Sequence, residues 1–397
     1  MKVLVINAGS SSLKYQLIDT DTQQVHARGR CERIGIDNGL LVHAEMGGSI
    51  QQESVDFADH THAIHAVFRI LKTCHKHIDA IGHRVVQGGW YFPDCARVTD
   101  ETLGWVREVA PLAPLHNYAQ AEVIEICRDM YPDLENIIVP DTAFHYDMPK
   151  IASTYPIPKE VRERYHIRKY GAHGISHHYI SNQVNAFSEG RVHKLVSCHI
   201  GSGASLAAIK DGHVQDTTMG LTPLDGLIMG TRVGAIDPAV VFYLNRQAGY
   251  SIDEIDDMMN KESGLKALSG EGYSDLRDIE AGMLAGDERC QFAFDMYIYR
   301  ISQLVMSMAG AMEGVDAIAF SAGVGEHSHL VRQYVCKRLE WIGVKLDEVR
   351  NLVDNDGTRL ISSADSKVQV LVVPTNEELM IAIDVAHLLQ GKPTFDA

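Results

Sequence analysis

The sequence has 397 residues, 45% of them hydrophobic and 22% charged, which is typical of about two globular domains and not of a disordered chain. Its formal net charge of -16 argues against a nucleic-acid partner, because a nucleic-acid-binding face needs a basic surface that displaces counterions. The apolar stretches are far shorter than the roughly 18 to 20 residues that cross a bilayer, and no secretory signal is recognisable. We therefore expect a cytoplasmic protein without a membrane partner.

The first predicted element is a strand, a loop and a second strand. Residues Val3 to Ile6 form a short apolar run, and Leu13, Tyr15 and Leu17 alternate with polar residues, so each segment is predicted to be a strand. The loop 7–12 between them contains glycine and three serines. Backbone N–H groups and hydroxyls in such a turn can surround phosphate oxygens, and an ordinary hairpin turn is the alternative.

Two arginines lie in unusual surroundings for a charged side chain. Arg84 stands among glycines and apolar residues in GHRVVQGG, and Arg232 follows the similar run Met-Gly-Thr. Guanidinium groups in such places suit the paired oxygens of carboxylates and phosphates. The alternative for each arginine is a buried structural ion pair, with Asp141 or Asp237 as the candidate partner.

Further polar candidates follow buried segments in the middle of the chain. Residues 137–139 predict a buried strand, and Asp141 comes directly after it, where carboxylates of α/β proteins often face a ligand. His145 and His173 lie nearby in the sequence, but the chain has 20 histidines, so a structural role is expected for most of them. Five histidines have metal-like spacing in a polar context that argues against ligation: His60, His62, His65, His75 and His77.

The N-terminal unit of strand, loop and strand returns once. Residues 195–199 and 206–209 predict two strands around the loop Gly201 to Ser205, which overlays the first loop when one inserted residue is allowed. This repeat predicts two halves built on one plan and favours phosphate binding at both loops. A dinucleotide fingerprint is weak here, because Leu206 replaces its last glycine and a strand follows. The absence of GxxxxGK[ST] excludes the P-loop class.

The remaining patterns alternate between helices and strands. Helical spacing is seen in Ile64, Val67, Phe68 and Leu71 and again over 292–312, whereas 317–320 and 368–373 read as buried strands. Gly323 and Gly325 are predicted to lie between a strand and a helix that starts near Ser328, a place suited to phosphate or nucleoside contact. This alternation favours α/β layers.

No low-complexity linker separates the halves, so we expect a tight hinge near Tyr146 to Pro149. The hinge would divide an N-terminal domain, 1–146, from a C-terminal domain, 147–377. A last helix is predicted over Glu377 to Leu389. We expect the C-terminal segment, about 378–397, to pack back on the first domain.

Taken together, these residues resemble the acetate and propionate kinase family of the larger actin-like ATPase superfamily. The resemblance covers nearly the whole chain and rests on motifs that stand in the family's order: VLVINAGSSSLKYQLID, GHRVVxGG, APLHN, DTAFH, YGxHGxSHHY, CHIGSGAS, GLTPLDGLIMGTRVGxIDP, SDLRDIE, GVGEHS and PTNEELMIA. It implies a two-domain, duplicated actin-like ATPase (ribonuclease H-like) α/β fold, with mixed sheets flanked by helices and an active site in the interdomain cleft.

The resemblance also implies a role for each matching residue. The catalytic residues would be Arg84, Asp141, His173 and Arg232. The acyl group would be bound by Arg84, Val86, Leu115, Ala172 and Pro223. The nucleotide would be bound by Ser10, Ser12, Lys14, His199, Gly201, Ser202, Gly203, Asp275, Leu276, Arg277, Gly323, Val324 and Gly325, with His116 near the phosphates. Magnesium, or manganese in its place, would be held by Asn7 and Glu377.

The implied reaction is the reversible transfer of the γ-phosphate of ATP to acetate, giving acetyl phosphate and ADP, and the family implies a homodimer. Some positions depart from the family's pattern. Ala172 stands where a phenylalanine usually walls the acyl pocket, Ser202 replaces an asparagine, and Gln87 and Trp90 replace a histidine and a glutamate. The first change predicts a larger pocket, so a kinase of propionate or another short-chain acid is the alternative.

Two other functions remain possible from the sequence. A sugar kinase on the same scaffold would need several Asp, Asn and Glu side chains for the sugar hydroxyls, whereas this chain offers arginines beside a small apolar pocket. A nucleotide-switched module like actin or the heat-shock chaperones would hydrolyse ATP slowly, and the chaperones carry a separate peptide-binding domain. We expect the carboxylate kinase instead.

Overall fold

The computed structural model describes residues 1–73, 77–270, 273–353, 355 and 357–395. The chain forms two compact units, the first comprising Met1–Tyr146 with the segment from Asn376, and the second Asp147–Thr375. Within the described ranges, no helix is both long and apolar enough to span a membrane.

The first unit contains a mixed sheet. Its strands are β1 (Lys2–Ala8), β2 (Ser12–Asp19), β3 (Gln24–Glu32), β4 (Leu40–Glu45), β5 (Gln51–Ser54), β6 (Ala80–Val85), β7 (Ala96–Arg97) and β8 (Glu135–Pro140). They lie in the order β5-β4-β3-β2-β1-β6-β8-β7. β1, β6 and β8 are parallel, and the other pairs are antiparallel. The carboxyl ends of β1, β6 and β8 therefore meet at one edge of the sheet.

Helices cover this first sheet. They are α1 (His60–Thr73), α2 (Asp100–Glu108), α3 (Asn117–Met130) and, from the C-terminal segment, α15 (Glu377–Leu389), with short 3-10 turns at Ala110–Leu112 and Ala143–His145. The helix α15 packs on β6 through Ile381 and Val385, both 2.9 Å from where a Cβ of Gly82 would lie. Only glycine leaves room for this close approach.

The second unit contains a shorter mixed sheet. Its strands are β9 (Lys194–Ile200), β10 (Ala204–Lys210), β11 (His213–Thr217), β12 (Ala317–Ser321), β13 (Arg359–Leu360) and β14 (Gln369–Val372), in the order β11-β10-β9-β12-β14-β13. β9, β12 and β14 are parallel, and the other pairs are antiparallel.

The helices of the second unit are α4 (Lys150–Ser153), α5 (Lys159–Arg164), α6 (Gly174–Ser188), α7 (Ala239–Tyr243), α8 (Ile252–Asp257), α9 (Gly264–Ser269), α10 (Leu276–Leu284), α11 (Glu288–Ala311), α12 (Ala322–His327), α13 (His329–Arg338) and α14 (Glu348–Asn351). Single helical turns of other types lie at Leu244–Ala248, Met258–Glu262 and Glu340–Ile342. The long helix α11 packs against β9, β10 and β11 and buries an apolar face that includes Phe294, Tyr297 and Ile301.

The two sheets repeat one plan, as the sequence predicts. The strands β3-β2-β1-β6-β8 and β11-β10-β9-β12-β14 have the same order, with an antiparallel hairpin pair followed by two parallel neighbours. The predicted α/β class and internal duplication are confirmed at the level of strand order and direction.

At two places the structure differs in detail from the local predictions. Gly323 and Gly325 lie between β12 and α13 as predicted, but the segment is itself a short helix, because α12 begins directly at Ala322. A Cβ at Gly325 would lie 3.3 Å from the backbone of Phe320, so close packing after the strand outweighs glycine's low helix propensity. The N-terminal loop is also shorter than 7–12, since β1 ends at Ala8 and β2 begins at Ser12.

Candidate active site

The first unit holds a buried ion pair at the carboxyl end of its parallel strands. Arg84 lies near the end of β6 and Asp141 directly follows β8, its neighbour in the sheet. Their side chains meet at 3.0 Å between Nη2 and Oδ2, with Asp141 only 1% exposed. The ion pair considered from the sequence is thus present. It does not preclude ligand binding, because a guanidinium has five N–H donors and one carboxylate contact leaves others for a second anion.

Further carboxylates surround this pair. Glu377 is the first residue of α15, and burial raises the pKa of its carboxyl from 4.5 to about 7, against the opposing charge of Arg84. Asp141 and Glu378 add to the increase, and Lys14 opposes it. Burial also opposes the charge of Arg84, but Asp141 and Glu377 raise the pKa of its guanidinium above the ordinary value. This part of the first unit therefore concentrates charge among largely buried side chains.

The oxygen donors here suit a hard cation. Asn7, near the end of β1, pairs across the hairpin with Lys14, whose charge acts on Glu377. Magnesium is commonly bound by one or two protein oxygens with substrate phosphates and water completing its shell, and Asn7 and Glu377 fit that donor chemistry. Within the described ranges, no group of three or more His, Cys, Asp or Glu side chains could hold a metal by itself. The structure does not describe His75, one of the five spaced histidines.

The first serine loop is a tight hairpin turn. The N–H of Gly9 donates to the carbonyl of Ser12 at 2.8 Å, so this N–H is used within the turn. The ring of His60 contacts the Gly9 carbonyl, 2.9 Å from its Nε2. Ser10 and Lys14 are exposed and Ser12 is half-buried, which leaves hydroxyl and ammonium groups as the donors that face solvent.

The loop after β6 is held by two buried amide side chains, for which the sequence predicts no such role. Asn117 of α3 accepts from the N–H of Gln87 at 3.1 Å and donates to its carbonyl at 2.7 Å. Gln120 accepts from the N–H of Val86 at 3.0 Å. These bonds fix Val86, a predicted residue of the acyl pocket, which is 8% exposed. Leu115, predicted for the same pocket, is 63% exposed. The hydrogen bonds between α3 and this loop show the role, which helical spacing does not predict for either amide.

In the second unit, His173 is held in a strained conformation. It caps the N-terminus of α6 with φ at 58°, in the left-handed region that non-glycine residues rarely adopt. Its ring stacks on that of His199 at 4.1 Å, and its Nδ1 lies 2.9 Å from Oγ of Ser205. Strain of this kind persists only where the surroundings enforce it, and it concentrates at functional sites.

Arg232 and His173 converge on the second glycine loop. A Cβ at Gly203 would lie 3.5 Å from Nε2 of His173 and 3.7 Å from Nη1 of Arg232, so both nitrogens face the space that glycine leaves open. Arg232 donates to the carbonyl of Pro223 at 3.0 Å, and burial lowers its pKa. No carboxylate of the described residues forms an ion pair with it, and the proposed pairing with Asp237 is wrong.

A cavity of about 770 Å³ adjoins this loop within the second unit. Predicted nucleotide-binding residues in its lining are Gly201, Ser202, Asp275, Leu276, Arg277, Gly323 and Val324. Gly325 does not line it, because it packs on Phe320 instead. Asp275 caps α10 by accepting from the N–H of Arg277 at 2.9 Å. The volume falls in the range of about 300 to 1,000 Å³ that is typical of small-molecule sites.

Other cavity residues were not found from the sequence. Glu280 and Tyr297 line it, and the hydroxyl of Ser328 donates a short hydrogen bond to the Glu280 carboxylate. Burial raises the pKa of Glu280. Arg332, 2% exposed, donates to the carbonyls of Gly325 and Glu326 and so secures the end of α12 beneath the cavity. Helical spacing over 292–312 covers Tyr297 but gives no sign of the cavity.

Comparison with known proteins extends over almost the whole chain. The sequence matches the profile of the Acetokinase family over residues 2–383. It is 46% identical to an acetate kinase of Thermotoga petrophila, covering 98% of this chain and 99% of the relative. It is 45% identical to an acetate kinase of Thermoanaerobacterium thermosaccharolyticum, covering 98% of this chain and 100% of the relative.

Solved structures give the same result. The crystal structure of Porphyromonas gingivalis acetate kinase matches with a TM-score of 0.92 at 38% identity, over 98% of this chain and 99% of that one. A propionate kinase from Francisella tularensis matches with a TM-score of 0.90 at 36% identity, over 96% and 98%. These similarities confirm the fold class that the sequence resemblance implies.

Proposed function

This chain belongs to the Acetokinase family and is a kinase, and from that premise we propose that it transfers the γ-phosphoryl group of ATP to acetate, reversibly and with magnesium. The products are acetyl phosphate and ADP. The observation that carries the proposal is the convergence of His173 and Arg232 on Gly203, at a loop whose other side, Gly201 and Ser202, lines a cavity of nucleoside size.

The residue types suit direct transfer. A carboxylic acid with an ordinary pKa of roughly 4.3 is ionised at neutral pH, so the nucleophile needs no general base. The difficulty is charge, since bringing a carboxylate within about 4 Å of a phosphoryl oxygen costs on the order of 4 kcal/mol per charge pair at an effective dielectric of 20. Cationic donors aimed at the reacting oxygens offset that cost and stabilise the charge that spreads in the in-line transition state.

In this proposal the candidate residues have the following roles. Arg84 binds the substrate carboxylate, and Asp141 orients its guanidinium through the 3.0 Å ion pair. Arg232 and the Nε2 of His173 stabilise the transferring phosphoryl group. Ser10, Ser12 and Lys14 contact phosphate oxygens, while Asp275, Leu276 and Arg277 flank the adenosine. Magnesium, held by Asn7 and Glu377 directly or through water, would neutralise phosphate charge.

The acid that is preferred depends on the acyl pocket, which we propose is formed by Val86, Leu115, Pro223 and Ala172. Ala172 is 3% exposed and has a single methyl group where the family usually has a phenylalanine. A smaller wall leaves room for a longer chain, so propionate is the second candidate substrate. Similarity to the Francisella tularensis propionate kinase is consistent with that alternative.

Hydroxylamine trapping tests the function directly. Purified protein is incubated with MgATP and acetate, propionate or butyrate, and acyl phosphate is captured as hydroxamate. Arg84→Ala is expected to abolish the product, whereas Arg107→Ala, which removes an exposed arginine of the same unit, is expected to retain it. Hydrolysis of ATP without hydroxamate from any acid would contradict the proposal. A steep fall in kcat/KM with each added carbon would contradict the enlarged pocket.

The proposal includes a homodimer, as the family resemblance implies, and a cytoplasmic location, as the short apolar stretches of the sequence predict. Sedimentation velocity of the purified chain measures the oligomeric state, and a species with the mass of one chain at micromolar concentration would contradict the dimer.

A further inference from the structure

A buried chain of hydrogen bonds leads from His173 into the core of the second unit. The Oγ of Ser205, on β10, lies 2.9 Å from Nδ1 of His173 and 2.8 Å from Nε2 of His177. The Nδ1 of His177, on α6, lies 2.8 Å from Oγ of Ser197 on β9. His177, Ser197 and Ser205 are 0% exposed. Four side chains from a helix and two strands are thus joined in one line.

The number of available hydrogens limits which group donates in each bond of this line. Ser205 has one hydroxyl hydrogen, so it can donate to only one of the two imidazoles, and at least one imidazole must donate an N–H to it. A neutral imidazole likewise carries one N–H and one acceptor nitrogen. In one direction Ser197 donates to His177, His177 to Ser205, and Ser205 to Nδ1 of His173; in the other every bond runs the opposite way. If both imidazoles donate to Ser205, His173 carries its hydrogen on Nδ1, as in the second direction.

The two directions differ at the end that faces the glycine loop. In the first, Nδ1 of neutral His173 accepts a hydrogen, so its Nε2 carries the N–H. In the second, neutral His173 has its hydrogen on Nδ1 and presents a lone pair at Nε2. A lone pair facing an anionic phosphoryl oxygen would repel it, whereas an N–H would donate to it.

The surroundings of His173 favour its neutral form. Its Nε2 and the Nη1 of Arg232 face the same space at Gly203, and a second cation there would be repelled by the guanidinium. The ring of His199, 9% exposed, covers one face of the His173 ring at 4.1 Å.

We propose that His177, acting through Ser205, is a positioning residue that holds His173 in the tautomer with its hydrogen on Nε2. The tautomer follows from the bonds within the second unit, and its role in transfer rests on the proposed function. A purely structural His177 would pack α6 against β9 and leave the ring nitrogens of His173 unaffected when it is replaced by a residue of similar volume.

Nitrogen NMR of histidine-labelled full-length protein separates these cases at one neutral pH, with His173 assigned by its loss in His173→Asn. The wild type is expected to show a protonated Nε2 and an unprotonated Nδ1. His177→Leu and Ser205→Ala should lose this pattern. His177→Gln should restore it, because the glutamine amide can donate to Ser205 where Nε2 of the histidine did.

Kinetics give a second readout. The kcat of His177→Leu is expected to fall on the order of 10- to 100-fold, which is the usual loss when a hydrogen-bond partner that orients a metal-bound histidine is replaced. The KM values should be nearly unchanged, and His177→Gln should recover the kcat. An Nδ1–H tautomer or an imidazolium in the wild type would overturn the inference, as would an unchanged His173 spectrum in folded Ser205→Ala. The expected spectra together with an absence of hydroxamate would leave the inference standing and refute the proposed function instead.

Discussion

Replacing Glu377 by glutamine should change how stability depends on pH. The folded-state pKa of about 7 lies above the ordinary 4.5, so the folded protein binds this proton more tightly than the unfolded chain. The resulting stabilisation is present below pH 4.5 and is lost as pH rises through 7. With these two pKa values, linkage gives a loss of about 2 to 3 kcal/mol between pH 5 and pH 8, which Glu377→Gln removes.

Tryptophan fluorescence can follow the first unit alone. Trp90 and Trp105 lie in it. The third tryptophan, Trp341, is exposed in the second unit, and Trp341→Phe removes its fluorescence. Unfolding free energies are measured by denaturant titration from pH 5 to pH 8 without magnesium or nucleotide, for this background with and without Glu377→Gln. Glu101→Gln, exposed on α2, controls for loss of one carboxylate. Parallel profiles for the two proteins, within about 0.5 kcal/mol, would refute the reasoning.

Three further changes probe other contacts. Arg84→Ala leaves buried Asp141 without its guanidinium and should lower the unfolding free energy of the first unit by about 3 to 5 kcal/mol, measured by the same fluorescence titration. Gly203→Ala adds a methyl 3.5 to 3.7 Å from the two donor nitrogens and should lower kcat/KM for ATP about 10-fold or more, whereas Gly104→Ala, with nothing within 4 Å, should not. Arg332→Met removes the donors to the carbonyls of Gly325, Glu326 and Asn351 and should lower the unfolding free energy of the second unit by at least about 2 kcal/mol, measured by calorimetry.

The sequence predicts elements whose burial is one-sided and regular. Ile64, Val67, Phe68 and Leu71 are all buried on α1, and the helix predicted over 377–389 has those bounds in the structure. The repeated hairpin is visible in the sequence because a glycine-serine loop stands between two apolar strands in both copies. Periodicity predicts the single elements, whereas the duplication follows from the overlay of the two loops and the α/β class from the alternation of helices and strands.

Other elements leave no periodic signal. All four residues of β5 are exposed and polar, and α12 contains two glycines that propensity alone places in a loop. The site depends on contacts between distant segments. Motif resemblance singled out His173, but its link to His177 through Ser205 arises from how α6 packs on the strands, which no local pattern encodes. The roles of the site residues stay predictions until the substitutions above are measured.

The discontinuity of the first unit has a consequence for biosynthesis. A ribosome makes residues 147–375 in one run, so the second unit is complete when that run has emerged, whereas the first unit lacks α15 until residue 389 has been added. Until then the sheet face around Gly82 has no helix over it. The segment translated first is therefore the last to reach its final form, and a chaperone that shields nascent chains would find its apolar target on the N-terminal half.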